Sequence, residues 1–345
     1  MSHPSEELEG LTLDGGWVVE KRIIPRPTGT GGTFSTGYLV SHTDGRTGFM
    51  KAMDYSAAFA APSTVDVMKQ LAEAYVFERD ICLKCAETKI TRIVHAIDYG
   101  TYVGPLGAHT KVEYLIFERA DGDIRLFLDQ QTTFDIAFAM RTLHNTAAAL
   151  RQLHSAQMAH QDLKPSNVLV FEAERMSKLG DMGRAWSKTI PAPHDGYPVA
   201  GDGGYAPLEM LYGVALDEDA KRYGCDLYLL GNLIVFFFTR THVTGLLRKH
   251  IDPSFSASRA AMTYGDALPY LQAAFAEALQ EITAHIPEVM RDRLIPIIRE
   301  LCEPDYTKRG NPLKSGARRY SLERYISAFD LLAWQAEIKL GRKSP

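Results

Sequence analysis

Cysteine is scarce in this sequence: four in 345 residues. That is too few for a disulfide framework in a chain of this size and fits a reducing compartment. Two of them form Cys82-Leu83-Lys84-Cys85, but no second pair or suitably spaced histidine follows, so core packing is expected rather than zinc or redox chemistry. Basic blocks are missing as well, and the net charge is −4, which gives no footing for a nucleic-acid partner. Long apolar runs are absent too. The longest, Leu227 to Phe238, is broken by Gly231 and Asn232 and reads as a buried helix instead of a membrane span. Met1 to Gly10 is acidic and has no apolar export segment, so a cytoplasmic location is expected. What is present is ordinary globular stock: 46% hydrophobic and 23% charged residues, enough for a substantial core in one large domain or two medium ones.

The chemistry concentrates in His160-Gln161-Asp162-Leu163-Lys164-Pro165-Ser166-Asn167, followed by Asp181-Met182-Gly183. A carboxylate, an ammonium and a carboxamide fall within six residues, and a second carboxylate comes after a short apolar run. Val168-Leu169-Val170 reads as a strand, which sets the two polar clusters at either end of a hairpin, facing one another across a cleft. Phosphoryl transfer needs this kind of set, because positioning and charge neutralisation do most of the catalytic work. Asp162 would accept the attacking hydroxyl's proton, Asn167 and Asp181 would hold Mg²⁺, and Lys164 would face the transferring phosphate. A lone His-x-Asp is usually a satisfied loop carboxylate; four members in order around a strand are not explained that way.

At these residues the sequence resembles the protein kinase family, and its other motifs follow in that family's order over about residues 17–335. The resemblance implies an α+β, bilobal fold with a small β-rich lobe and a larger helical one. Residues 1–16 read as a polar lead-in, 17–117 as the small lobe, 118–123 as a hinge, 124–335 as the large lobe and 336–345 as a tail. Within the small lobe, a strand from Trp17 to Ile24 leads into a glycine-dense loop. There Gly29, Gly31, Gly32, Thr33, Phe34 and Ser35 are expected to cradle ATP phosphates through backbone N–H groups. The loop departs from the family pattern, with Ser35 where the third glycine usually stands and Gly37 where valine does.

Lys51, in the apolar strand Gly48–Met53, is implied to clamp the nucleotide's α- and β-phosphates, while Phe49 replaces the alanine usual against the adenine. Residues 65–86 have helical spacing and contain two carboxylates able to pair with Lys51. Glu78 is preferred because it immediately precedes Arg-Asp-Ile-Cys-Leu, which resembles the end of the family's regulatory helix; Glu73 is the runner-up. Strands are expected at 93–99 and 112–117, the second running to a hinge where backbone at Glu118 and Ala120 would bind the adenine behind Phe117.

In the large lobe, Ile136, Met140, Leu143, Ala147 and Leu150 form one apolar helical stripe ending near His154, a packing or capping residue. Gln161 replaces the arginine that commonly pairs with an activation-segment phosphate, so activity is not expected to depend on that pairing. Lys164-Pro165 resembles the Ser/Thr branch, implying a protein substrate with a Ser or Thr acceptor. Residues 184–204 read as an activation segment, with Ser187, Thr189 and Tyr197 as candidate phosphosites and Asp202 in place of a threonine, able to pair with Lys164. Glu209 is expected to pair with Arg309, and Asp226 to hold the catalytic-loop backbone or merely cap its helix. An amphipathic helix over 319–340 closes the chain. Two other readings remain beside the kinase: a nucleotide-binding scaffold without turnover, motivated by the departures at 35, 37, 49, 161 and 202, and a small-molecule kinase. Oligomeric state is not legible.

Overall fold

Alternating burial along the first strands builds the small lobe. The computed structural model describes residues 3–24, 34–105, 107–173, 175–257 and 262–339. β1 (Trp17–Ile23), β2 (Ser35–His42) and β3 (Thr47–Met53) are followed by the short α1 (Ser56–Phe59) and by α2 (Thr64–Glu87). β4 (Ala96–Val103) and β5 (Lys111–Glu118) complete an antiparallel sheet in the order β1-β2-β3-β5-β4. Its strands put Trp17, Tyr38, Val40, Met50, Val112, Tyr114 and Ile116 on one buried face, as a period of two requires. Leu8 and Leu13, from the stretch ahead of β1, pack into that same face. The opposite face meets α2, whose Tyr75, Phe77, Ile81, Cys82 and Cys85 join the large core; both cysteines of the CxxC are free and buried.

The strand expected at 93–99 lies further on. Ile93 bridges to Leu179, and the Val94 amide donates to the Leu179 carbonyl at 2.8 Å, so those two apolar residues mark the junction with the large lobe. Pairing with β5 begins only at Ala96.

β6 (Gly122–Asp123) runs into α3 (Ile124–Gln130), capped by the Asp123 carboxylate accepting from the Leu126 amide. α4 (Ile136–Ser155) buries Met140, Leu143, Ala147 and Leu150 of its expected stripe, with Ile136 partly buried, and is capped in the same way by Asp135. β7 (Met158–Ala159), β8 (Val168–Phe171), β9 (Met176–Leu179) and β10 (Trp186–Ser187) are short and form two small sheets: β6 with β8 and β8 with β9 in one, β10 with β7 in the other. α5 (Leu208–Leu211), α6 (Cys225–Thr239), α7 (Val243–His250), α8 (Tyr264–His285), α9 (Glu288–Cys302) and α10 (Glu323–Lys339) make up the rest.

α6 is the centre of this lobe. Every residue from Cys225 to Phe237 is buried, including Asp226 and Asn232, which accounts for its nearly unbroken apolar sequence. No single described helix is long and apolar enough to cross a membrane. α10 starts later than its periodicity suggests: residues 316–320 form a tight 3₁₀ turn that buries Tyr320, and the helix proper begins at Glu323.

Candidate active site

The loop between β7 and β8 carries the first polar cluster, and α6 fixes its backbone. Asp226, fully buried, accepts the His160 amide at 2.9 Å and the Gln161 amide at 2.7 Å, and His154 contacts it at 2.9 Å. Asp226 therefore acts as a tether and makes no side-chain cap on its own helix. Gln161 is left with φ of 60°, a left-handed conformation uncommon for a non-glycine residue. The His160 ring bridges the loop to the next strand: Nε2 contacts the Gly180 carbonyl at 3.0 Å, and Nδ1 accepts the Asp162 amide at 3.3 Å.

This backbone presents Asp162, Lys164 and Asn167 together. Lys164 Nζ lies 3.0 Å from Asp162 Oδ2, and Asn167 Nδ2 donates to Asp162 Oδ2 at 3.1 Å and to its carbonyl at 2.8 Å. The Asp202 amide donates to Asp162 Oδ1 at 2.7 Å, and the Asp202 carboxylate stands 3.8 Å from Lys164. The β8–β9 hairpin then returns the chain, with the Gly180 amide bonded to the Asn167 carbonyl at 2.9 Å, so Asp181 follows directly beside Asn167.

Across the cleft, Lys51 on β3 reaches both Glu78 oxygens at 2.9 and 2.8 Å and Asp181 Oδ1 at 3.3 Å. Glu78 is buried on the inner face of α2, whereas Glu73 faces solvent 3.8 Å from Lys69, so Glu78 is the carboxylate that meets Lys51. Burial disfavours charge on Lys51, but Asp181 and Glu78 outweigh it and hold its pKa above the ordinary lysine value. Asp181 is held below the usual carboxylate range mainly by Lys51, while burial pushes Glu78 upward against the same lysine.

Gly29, Gly31, Gly32 and Thr33 lie outside the described residues. Phe34 is exposed beside them and Ser35 opens β2 opposite Met53. Phe49 and Gly37, read as two unrelated departures, prove to be one: a Cβ at Gly37 would fall 3.0 and 3.2 Å from the Phe49 ring. The ring lies against β2 in the volume a valine there would fill. Glu118 ends β5 with its amide on the His95 carbonyl at 3.0 Å and its carboxylate on Lys178 of β9 at 2.7 Å; Ala120 packs against the large core just beyond. Lys178, which links the two lobes here, was not singled out from sequence because an isolated strand lysine carries no signal of its own. Ser187 is buried and hydrogen-bonded to Thr189, while Tyr197 is exposed. In the large lobe, Arg309 holds Glu209 through both oxygens, Nη2 to Oε2 at 2.9 Å, with both side chains 1% exposed.

Comparison with known proteins accounts for this geometry: residues 29–319 match the protein kinase domain. The chain belongs to the protein kinase family. Among curated relatives, it is 27% identical over 169 residues to the serine/threonine-protein kinase SBK1 of Danio rerio, covering 46% of this chain and 43% of that one. It is 26% identical over 188 residues to an Aurora kinase of Debaryomyces hansenii, covering 54% and 42%, and 26% identical over 218 residues to a probable serine/threonine-protein kinase, pknA2, of Bifidobacterium longum, covering 56% and 27%. The match thus spans less than half the length of each of these relatives. Membership implies ATP as a substrate and a divalent metal.

The residues present fit such a metal. Among the described residues no group of three or more His, Cys, Asp or Glu is placed to hold an ion by itself. Mg²⁺ does not ask for one, since it takes a carboxylate or two and completes its shell with phosphate oxygens and water. Asp181 and Asn167 are hard oxygen donors at adjacent positions, and Asn167's amide nitrogen is already spent on Asp162, which leaves Oδ1 as its donor.

Proposed function

We propose that this chain is a protein serine/threonine kinase that transfers the γ-phosphate of ATP, with Mg²⁺, to Ser or Thr hydroxyls of protein substrates and also to itself. The observation that carries this reading is the convergence of Glu78, at 2.8 and 2.9 Å, and Asp181, at 3.3 Å, on Lys51 Nζ, with Asp181 beside Asn167 at the end of the hairpin that follows Asp162. Lys51 is held charged by two carboxylates and its ammonium is aimed into the cleft, ready to meet phosphate oxygens. Backbone at Glu118 and Ala120 serves as the adenine ledge of a hinge over 118–123, under a roof that includes the Phe49 ring. Asn167 and Asp181 would hold Mg²⁺, which neutralises charge on the transferring group.

Asp162 orients the acceptor hydroxyl and takes its proton; three hydrogen-bonding groups hold the carboxylate, so it meets the substrate already aimed. Lys164 sits on the same carboxylate and stabilises charge as the phosphoryl group moves. Lys164-Pro165 and the names of the relatives support Ser/Thr over Tyr acceptors, and a cytoplasmic site of action fits the four free, buried cysteines. Intact-mass measurement after incubation with MgATP tests the proposal, with Asp181→Ala as control. Increments of one phosphate on the wild type and none on the control are expected. Nucleotide binding without any increment, on the chain or on a basic protein substrate, would make it a scaffold instead.

A further inference from the structure

The loop bearing Asp162 is braced by a buried cation that no motif announces. Gln161 Oε1 accepts from Arg222 Nη1 at 2.9 Å, and Gln161 Nε2 donates to the Arg184 carbonyl at 3.3 Å. Arg222 lies on a wide helical turn, Ala220–Gly224, just ahead of α6, and is 4% exposed. Its Nη2 donates to Asp195 Oδ1 at 3.1 Å, and its guanidinium sits 5.4 Å over the Trp186 ring. Asp195 is fastened in turn: its Oδ2 accepts the Ala192 amide at 2.9 Å, and its carbonyl accepts Lys221 Nζ at 3.1 Å.

A guanidinium buried to this degree needs an anion, and Asp195 is the carboxylate paired with it. The line of contacts therefore runs from Asp195, in the middle of segment 184–204, through Arg222 of the helical lobe, to Gln161, whose strained backbone sets the direction of Asp162. Gln161 supplies no charge and works as a neutral relay, accepting from the arginine and donating to the segment's own backbone.

We propose that Arg222 and Asp195 are positioning residues of this kinase: an internal carboxylate–guanidinium–amide clamp that orders segment 184–204 and aims Asp162 without any phosphate on that segment. A carboxylate built into the chain takes the place a modified residue would take, at lower charge but in permanent supply. The inference rests on the kinase reading and adds to it which residues hold the catalytic loop and that the segment is not switched by phosphorylation.

The test compares wild type, Asp195→Asn, Asp195→Glu, Arg222→Lys and Arg222→Met. Peptide phosphorylation gives kcat and the KM for ATP, and hydrogen exchange follows residues 186–202. Asp195→Asn and Arg222→Met should lower kcat by about tenfold to a hundredfold, the scale of a slightly misplaced catalytic group. The KM for ATP should stay within about twofold, because the nucleotide contacts lie elsewhere. Exchange at 186–202 should rise in both, Asp195→Glu and Arg222→Lys should recover part of the rate, and phosphatase-treated wild type should keep its full kcat. Unchanged kcat and exchange in Asp195→Asn overturn the clamp, as does loss of wild-type activity on phosphatase treatment. Should Arg222→Met not fold, Asp195→Asn, altered at a partly exposed residue, still decides the matter. Should the wild type show no turnover at all, the kinase reading fails, while exchange in Asp195→Asn still reports whether the clamp orders the segment.

Discussion

Two buried ion pairs, one in each lobe, use the same chemistry for different ends. Glu209 and Arg309 are both 1% exposed, bonded through two parallel contacts, and Arg309 further donates to the Glu303 carbonyl at 3.1 and 3.3 Å. Burial works against Arg309's charge, yet Glu209 holds its pKa above even the ordinary arginine value. All three guanidinium nitrogens are engaged with Glu209 or the Glu303 carbonyl, out of reach of solvent, so the pair holds structure. Lys51 and Glu78 are 20% and 6% exposed, and Lys51 has a second partner, Asp181, at a longer 3.3 Å on the open side of the cleft. A saturated pair is a rivet. An ammonium with one loosely held carboxylate in front of it can exchange that contact for a phosphate.

Four substitutions probe the contrast, taken from the largest expected effect downward. Asp162→Ala should cost about a hundredfold to ten-thousandfold in kcat, the scale of a positioned general base, with thermal stability changed far less than rate. Turnover measured beside a melting curve checks this; a melting point falling in step with the rate would make Asp162 a structural residue. Glu209→Gln should do the reverse. It leaves the Arg309 charge buried and uncompensated, which costs about 3–5 kcal/mol in chemical denaturation, while folded protein at low temperature keeps nucleotide binding. A small stability change there would erase the distinction between the two pairs.

The third prediction concerns pH. His242 caps α7 by accepting the Gly245 amide at 3.1 Å and stacks on Tyr205 at 4.2 Å. Burial, aided by Arg248 and opposed by Asp202, lowers its pKa from 6.5 to about 4. A histidine depressed on folding binds protons more readily when unfolded, so stability falls as pH drops from 6.5 toward 4. At pH 5 this amounts to at most about 2 kcal/mol. His242→Asn keeps a capping side chain and removes the titration, so its melting temperature should decline less between pH 7 and pH 5 than the wild type's. Equal declines would show that other groups govern the acid limb. The smallest effect belongs to Glu73→Ala, expected to change stability by less than about 0.5 kcal/mol and kcat not at all, since among the described residues Glu73 pairs with Lys69 alone, on the helix surface. A loss of rate there would reopen the choice between Glu73 and Glu78.

Legibility followed sequence distance. Asp162, Lys164, Asn167 and Asp181 could be grouped on paper because one loop and one short hairpin hold them all, and local chain geometry leaves little freedom. The partner of Lys51 was harder: both glutamates lie on one helix, and only packing chose which side of α2 turned inward. Lys178 and Arg222 carried no signal, since Lys178 meets Glu118 60 positions away, and Arg222 meets Gln161 and Asp195 61 and 27 positions away, through side chains common on any surface. Gly37 and Phe49 looked like two weaknesses in the nucleotide site until the β2–β3 register, with Gly37 opposite Lys51 and Phe49 opposite Leu39, laid the Phe49 ring diagonally against Gly37.

By itself the sequence determined the chemical inventory and the local frame: which side chains share a loop, which stretches must be strand or helix, and that phosphoryl transfer was the chemistry they suit. Only the tertiary structure decided which charges are sealed in and which stay open to a ligand. That division has a physical cause. Motif spacing is set by covalent geometry, whereas the strength of a charge depends on what burial and distant neighbours do to its surroundings.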